Sequence, residues 1–107
     1  MIFVFKYFIP KGYTAMSIFP FIILKRKNLK VDRILINHER IHLRQQLEML
    51  IIPFYIWYFI EFLTKFFKYC AFREAYYNLS FEKEAYKNDG NLEYLKTRKA
   101  WSFLEYL

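Results

Sequence analysis

Residues Val31 to Met49 read VDRILINHERIHLRQQLEM, and this stretch decides the fold. Val31, Ile34, Leu35, His38, His42, Gln45 and Met49 recur at the spacings of a single helix face. Asp32 stands where an acid favours a helix start, and Pro53 is expected to end or kink what begins there. The same face carries the only two histidines of the chain, His38 and His42, with Glu39 directly after the first. Helical geometry puts both imidazoles on one side, one turn apart, where two nitrogens can hold one Zn²⁺ while Glu39 projects beside them.

A pair of histidines does not complete such a site, because catalytic zinc takes three protein ligands and leaves a further position to water. With no third histidine, the donor has to come from the downstream acids, and Phe81-Glu82-Lys83-Glu84-Ala85-Tyr86 offers two on a predicted helix. Glu82 and Glu84 point to nearly opposite sides of that helix, so at most one is a ligand. The other is expected to be an ordinary first-turn acid behind a Ser80 cap, and Glu84 fits that role. Asn37 and Gln45 are placed to orient ligands or substrate, whereas Gln46 reads as a surface amide.

Around this helix the chain has room for one domain, residues 1–107, and no second. Thr14 to Lys25, TAMSIFPFIILK, is rich in β-branched and aromatic residues, and Pro20 restricts it to an edge or bulged strand. A basic turn follows, Lys25 to Lys30. Beyond the motif, Phe54 to Tyr69 reads as a second helix. Another starts near Ser80, a turn falls at Asn88-Asp89-Gly90-Asn91, and a basic amphipathic helix is expected from Leu92 to the end. The fold class is therefore α+β, mainly helical, with a short N-terminal sheet packed on the motif helix.

Hydrophobic residues make up 56% and aromatic ones 23%, which excludes a disordered chain and leaves more apolar surface than so small a domain easily hides. Some of it is expected to meet a membrane or a partner. The uncharged run from Met49 to Ile60 has 12 residues, short of the ~20 a bilayer span needs, and extending it would bury Glu61 and Lys65. A peripheral position is thus expected rather than a spanning one. The net charge of +7, clustered at Lys25-Arg26-Lys27 with Lys30 and at Lys96, Arg98 and Lys99, favours anionic partners such as phospholipid head groups. Nucleic acid is disfavoured, since no reader motif accompanies the charge. Cys70 cannot form an internal disulfide and reads as a small buried hydrophobe. The N-terminus has no secretory pattern, so the expected location is the cytoplasm or the cytoplasmic face of a membrane.

HERIH followed by FEKEA on a later helix resembles the gluzincin metallopeptidases, whose second motif supplies the third zinc ligand through its first glutamate. The wider strings HERIHLRQQ and NLSFEKEAY are similar to small bacterial proteins of the H-E-x-x-H-x-x-Q type with a distal F-E-x-E-A-Y. The resemblance runs from about residue 15 to about residue 90. It implies a minimal zincin in which His38, His42 and Glu82 hold Zn²⁺, and Ala85 lets the two motif helices approach. Glu39 would take a proton from the attacking water and pass it to the leaving amine, and the Tyr86 hydroxyl would donate to the developing oxyanion. Many gluzincins carry Asp where this chain has Tyr86, so the usual outer carboxylate is missing at that position. The substrate implied is a peptide or protein. The alternative is a non-catalytic, zinc-containing module that binds a membrane surface or a partner.

Overall fold

The apolar runs of the first 24 residues pair into a three-stranded sheet in the computed structural model, which describes residues 1–107. Its strands are β1 (Ile2–Val4), β2 (Ala15–Ile18) and β3 (Phe21–Leu24), in the order β1-β3-β2. β3 is central, parallel to β1 and antiparallel to β2. The single edge strand expected over Thr14 to Lys25 is therefore two strands. Phe19-Pro20, joined by a cis peptide, makes the turn between them, at a position where proline removes no ladder donor. β1 is too short to show an alternating pattern and was not legible in the sequence.

The sheet packs on α1 (Arg33–Glu48) as expected: Ile22 and Leu24 of β3 meet Ile36, with Ala15, Leu35 and Leu43 around them. A 3-10 turn over Lys27–Val31 leads in, and Asp32 caps the helix by accepting from the Leu35 amide at 3.1 Å. Val31 and Ile34 lie outside the buried face, which runs through Ile36, His38, Ile41, His42 and Gln45. Much of that face is polar, a costly arrangement unless every group finds a partner.

Pro53 neither ends nor kinks α1. The turn is made by Leu50 and Ile51, both at positive φ (59° and 68°), and Pro53 sits in the first turn of α2 (Ile52–Tyr69), where a missing N–H costs nothing. The two helices meet at 111°. α2 buries only Phe54 and Glu61. No single helix is long and apolar enough to cross a membrane. Cys70 is exposed rather than buried, because it adopts the left-handed conformation that terminates α2.

A short α3 (Phe72–Tyr77) returns the chain to α4 (Ser80–Asn88). Ser80 does not cap α4 with its own side chain. Glu61 of α2 does so from outside, accepting from the Ser80 amide and from its hydroxyl at 2.7 Å while the Trp57 indole donates to it at 3.2 Å. Met49, Phe54, Phe81 and Phe103 form the core that joins α1, α2, α4 and the C-terminal turn. The expected C-terminal amphipathic helix is replaced by α5 (Tyr94–Thr97) and a 3-10 turn over Ser102–Tyr106. The reason lies at Arg98, which is extended and carries its guanidinium inward to Glu84 and Glu48, and at Phe103, which is fully buried. Arg98 is thereby removed from the surface basic group.

Candidate metal centre

α1 presents His38 and His42 side by side, and α4 lies against it so that Glu82 reaches both. Ala85, one turn along α4, is completely buried where the helices approach. The His38 and His42 Nε2 atoms are 3.2 Å apart. The Glu82 carboxylate lies 3.4 Å from the first and 3.1 Å from the second. All three side chains are buried, and their donor atoms fall within 4.8 Å of one another.

The outer ring nitrogens decide what the inner ones can be. His38 Nδ1 faces the Asp89 carboxylate at 3.0 Å, which can only accept. His42 Nδ1 faces Gln45 Oε1 at 2.8 Å. The orientation of that amide is fixed from its other end, since Gln45 Nε2 donates to the Phe81 carbonyl (3.2 Å) and to Glu84 (3.0 Å). In their neutral forms both histidines therefore carry their proton on Nδ1 and turn bare Nε2 lone pairs toward each other and toward a carboxylate. Such a constellation is stable only around a cation, either a proton or a metal ion. The donor set of two imidazoles and one carboxylate is that of a divalent transition metal.

Protonation follows the same geometry. Burial opposes charge on His42, but the Glu82 carboxylate, its hydrogen bond and Glu39 outweigh it and raise the imidazole to about 9. Burial likewise works against the Glu82 carboxylate, yet His42 and His38 hold it far below the ordinary carboxylate range. Glu39 is not among the converging donors. Burial pushes its carboxyl up, against the pull of His42 and His38. Glu39 stands between two cavities, one of about 300 Å³ that it shares with His38 and one of about 550 Å³ that it shares with His42 and Glu82.

Tyr86 lies where the resemblance placed an aspartate, and its ring packs edge-on to His38 with centroids 4.4 Å apart. The outer carboxylate comes instead from Asp89, in the turn after α4. Asn37 holds that turn by donating to the carbonyls of Asp89 (2.9 Å) and Asn91 (3.0 Å). Asn37 and Gln45 thus both occupy orienting positions. Glu84 departs from its expected role: it is fully buried, paired with Arg98, and accepts from Tyr94 (2.7 Å) and Gln45. Gln46 is not a surface amide either, since it is buried, donates to the Ser17 carbonyl (3.0 Å) and accepts from the Phe19 amide (2.7 Å).

Two tyrosines escaped the sequence reading. Tyr58 of α2 donates to Glu82 at 3.2 Å and so orients the carboxylate, and Tyr76 of α3 lines both cavities. Neither sits in a recognisable spacing with the motifs, and only the approach of α2 and α3 reveals them. Comparison with protein-family models, with curated proteins and with solved structures gives no match.

Proposed function

We propose that this domain is a zinc-dependent metallopeptidase that hydrolyses peptide bonds. One observation carries the reading: two tautomer-locked imidazoles and Glu82 converge on one point with Glu39 beside them. His38, His42 and Glu82 would hold the ion, which when bound supplies a Lewis acid that polarises a carbonyl and acidifies water. Glu39, with its carboxyl raised by burial, is suited to take a proton from water and return it to the leaving amine. The Tyr86 phenol is also raised, first by burial and then by Glu82, so it stays a neutral donor able to hydrogen-bond an oxyanion.

The free edge of β2 supports a peptide substrate. The Lys25 amide donates to the Thr14 carbonyl, so Thr14, Met16 and Ile18 direct their main chain at β3, and Ala15 and Ser17 direct theirs outward. The Ser17 carbonyl is taken by Gln46, but Ala15, which borders both cavities, keeps an outward N–H and C=O for an extended chain. The test is metal content after dialysis together with peptide cleavage. One zinc per chain is expected in the wild type and in Glu39→Gln, with cleavage lost in the variant by about 10²-fold or more. Unchanged cleavage in Glu39→Gln overturns the assignment.

A second reading, a membrane-surface module that keeps zinc as a structural tie, is favoured by α2. Ile52, Ile56, Phe59, Ile60 and Phe67 are all more than half exposed on it. Under either reading a peripheral position is proposed rather than a spanning one, since no single helix is long and apolar enough to cross a membrane. Sedimentation with anionic vesicles that survives chelation, in a protein without hydrolytic activity, would move this reading to first place.

A further inference from the structure

We infer that the larger of the two cavities is a specificity pocket for a bulky apolar side chain of the substrate, a reading that rests on the peptidase assignment above. The cavity measures about 550 Å³, within the range that encloses small ligands, ~300–1,000 Å³. Its inner end is formed by Glu39, His42 and Glu82, so whatever occupies it abuts the reacting centre. Its flank is the edge strand β2, where an extended substrate would run.

The walls are aromatic. Phe54, Tyr55, Phe59 and Phe62 come from α2 and Phe72 from α3. Of the remaining polar groups, Ser17 and Gln46 are engaged with each other, the Tyr58 hydroxyl with Glu82 and the Tyr55 hydroxyl with the Ser17 carbonyl, which leaves the uncharged hydroxyls of Tyr13 and Tyr76. No Lys or Arg lines the cavity to meet an acid, and its only ionisable histidine and carboxylates are those of the centre itself, His42, Glu39 and Glu82. A charged side chain would lose its hydration there without a partner, whereas an aromatic or long aliphatic one gains burial. Phe59 and Phe72 are 61% and 59% exposed at the mouth, so the pocket is open to an entering chain.

The smaller cavity differs in kind. Asp32, His38, Glu39 and Asp89 line it together with Tyr76, Tyr77 and Tyr86. The two sides of the centre therefore discriminate differently, and the apolar preference belongs to the β2–α2 side alone.

The experiment uses zinc-loaded, full-length Glu39→Gln, which binds without turnover, titrated calorimetrically with acetyl-Gly-X-amides in which X is Phe, Leu, Ala or Asp. Phe and Leu peptides are expected to bind at least about tenfold more tightly than Ala, and Asp more weakly still. Phe59→Asp at the mouth should erase the preference. Ile60→Asp, equally exposed on α2 but outside the cavity, should keep it. Equal affinities across the four peptides, or no binding of any, overturn the pocket. Wild-type turnover separates the two claims. Preferential binding without hydrolysis of any peptide upholds the pocket and sinks the peptidase, whereas hydrolysis indifferent to X does the reverse.

Discussion

The Asp89 carboxylate lies 3.0 Å from Nδ1 of His38, on the side of the ring that faces away from Glu82. It reaches that position because Asn37, the residue before His38, grips the turn that carries it. The motif helix thus holds the group that orients its own first histidine.

Asp89→Ala should leave the fold intact and weaken zinc binding by about 10- to 100-fold, the usual cost of losing an outer partner of a ligating histidine. Asn37→Ala should weaken it in the same direction by releasing the turn. Competition against a chromophoric chelator measures both. Wild-type affinity in Asp89→Ala would mean that the His38 tautomer is fixed by something else.

Glu82 and Glu84 should separate cleanly on substitution. Glu82→Ala removes a converging donor, so zinc should be lost while the apolar core is untouched. Glu84→Ala strands the guanidinium of Arg98, whose side chain is fully buried, with only Glu48 as partner. Breaking a buried pair from one side costs about 3–5 kcal/mol, read from the urea midpoint. A Glu84→Ala protein as stable as wild type would show that Arg98 finds water instead.

The helical period of α1, the histidine spacing and the opposition of Glu82 to Glu84 were legible in the sequence because each is local to one helix. What was not legible depends on contacts between elements. Ser80 looks like a cap, yet Glu61 arrives from another helix to do that work. Glu84 and Arg98 look like surface charges until the C-terminal segment folds back across α4. Asp89 reads as a turn residue, and nothing short of the α1–α4 approach reveals that its carboxylate serves His38. Charged and polar residues mislead in this chain because so many are buried in pairs, which composition cannot indicate.

Gln46 ties the turn end of β2 to α1 by pairing with the Ser17 carbonyl and the Phe19 amide. Gln46→Leu keeps the volume but leaves the Phe19 amide without an acceptor, at roughly 1–3 kcal/mol, and the Ser17 carbonyl with only the Tyr55 hydroxyl at 3.4 Å. A fall in stability of about 2 kcal/mol is expected, with faster hydrogen exchange at the Phe19 amide. Unaltered protection at Phe19 would contradict this role.

The proton that stands in for a metal sets the pH dependence of the chelated protein. An unfolded histidine titrates near 6.5, whereas folded His42 is raised to about 9 by Glu82, whose carboxylate stays charged far into acid. At pH below 6.5 both states hold the proton and the His42–Glu82 attraction contributes in full. Between pH 6.5 and 9 only the folded state still binds it, so stability falls as pH rises, by on the order of 3 kcal/mol in all. Zinc abolishes the slope above pH 6.5, because its ligands must be deprotonated, so neither the zinc-bound folded state nor the unfolded histidine holds the proton there. Urea unfolding from pH 7 to 9.5 should give a stability that falls with pH in the presence of chelator and stays level in the presence of excess zinc. Calorimetry in buffers of different ionisation enthalpy should register proton release on zinc binding near pH 8. A chelated protein equally stable across that range would show that folded His42 holds no extra proton.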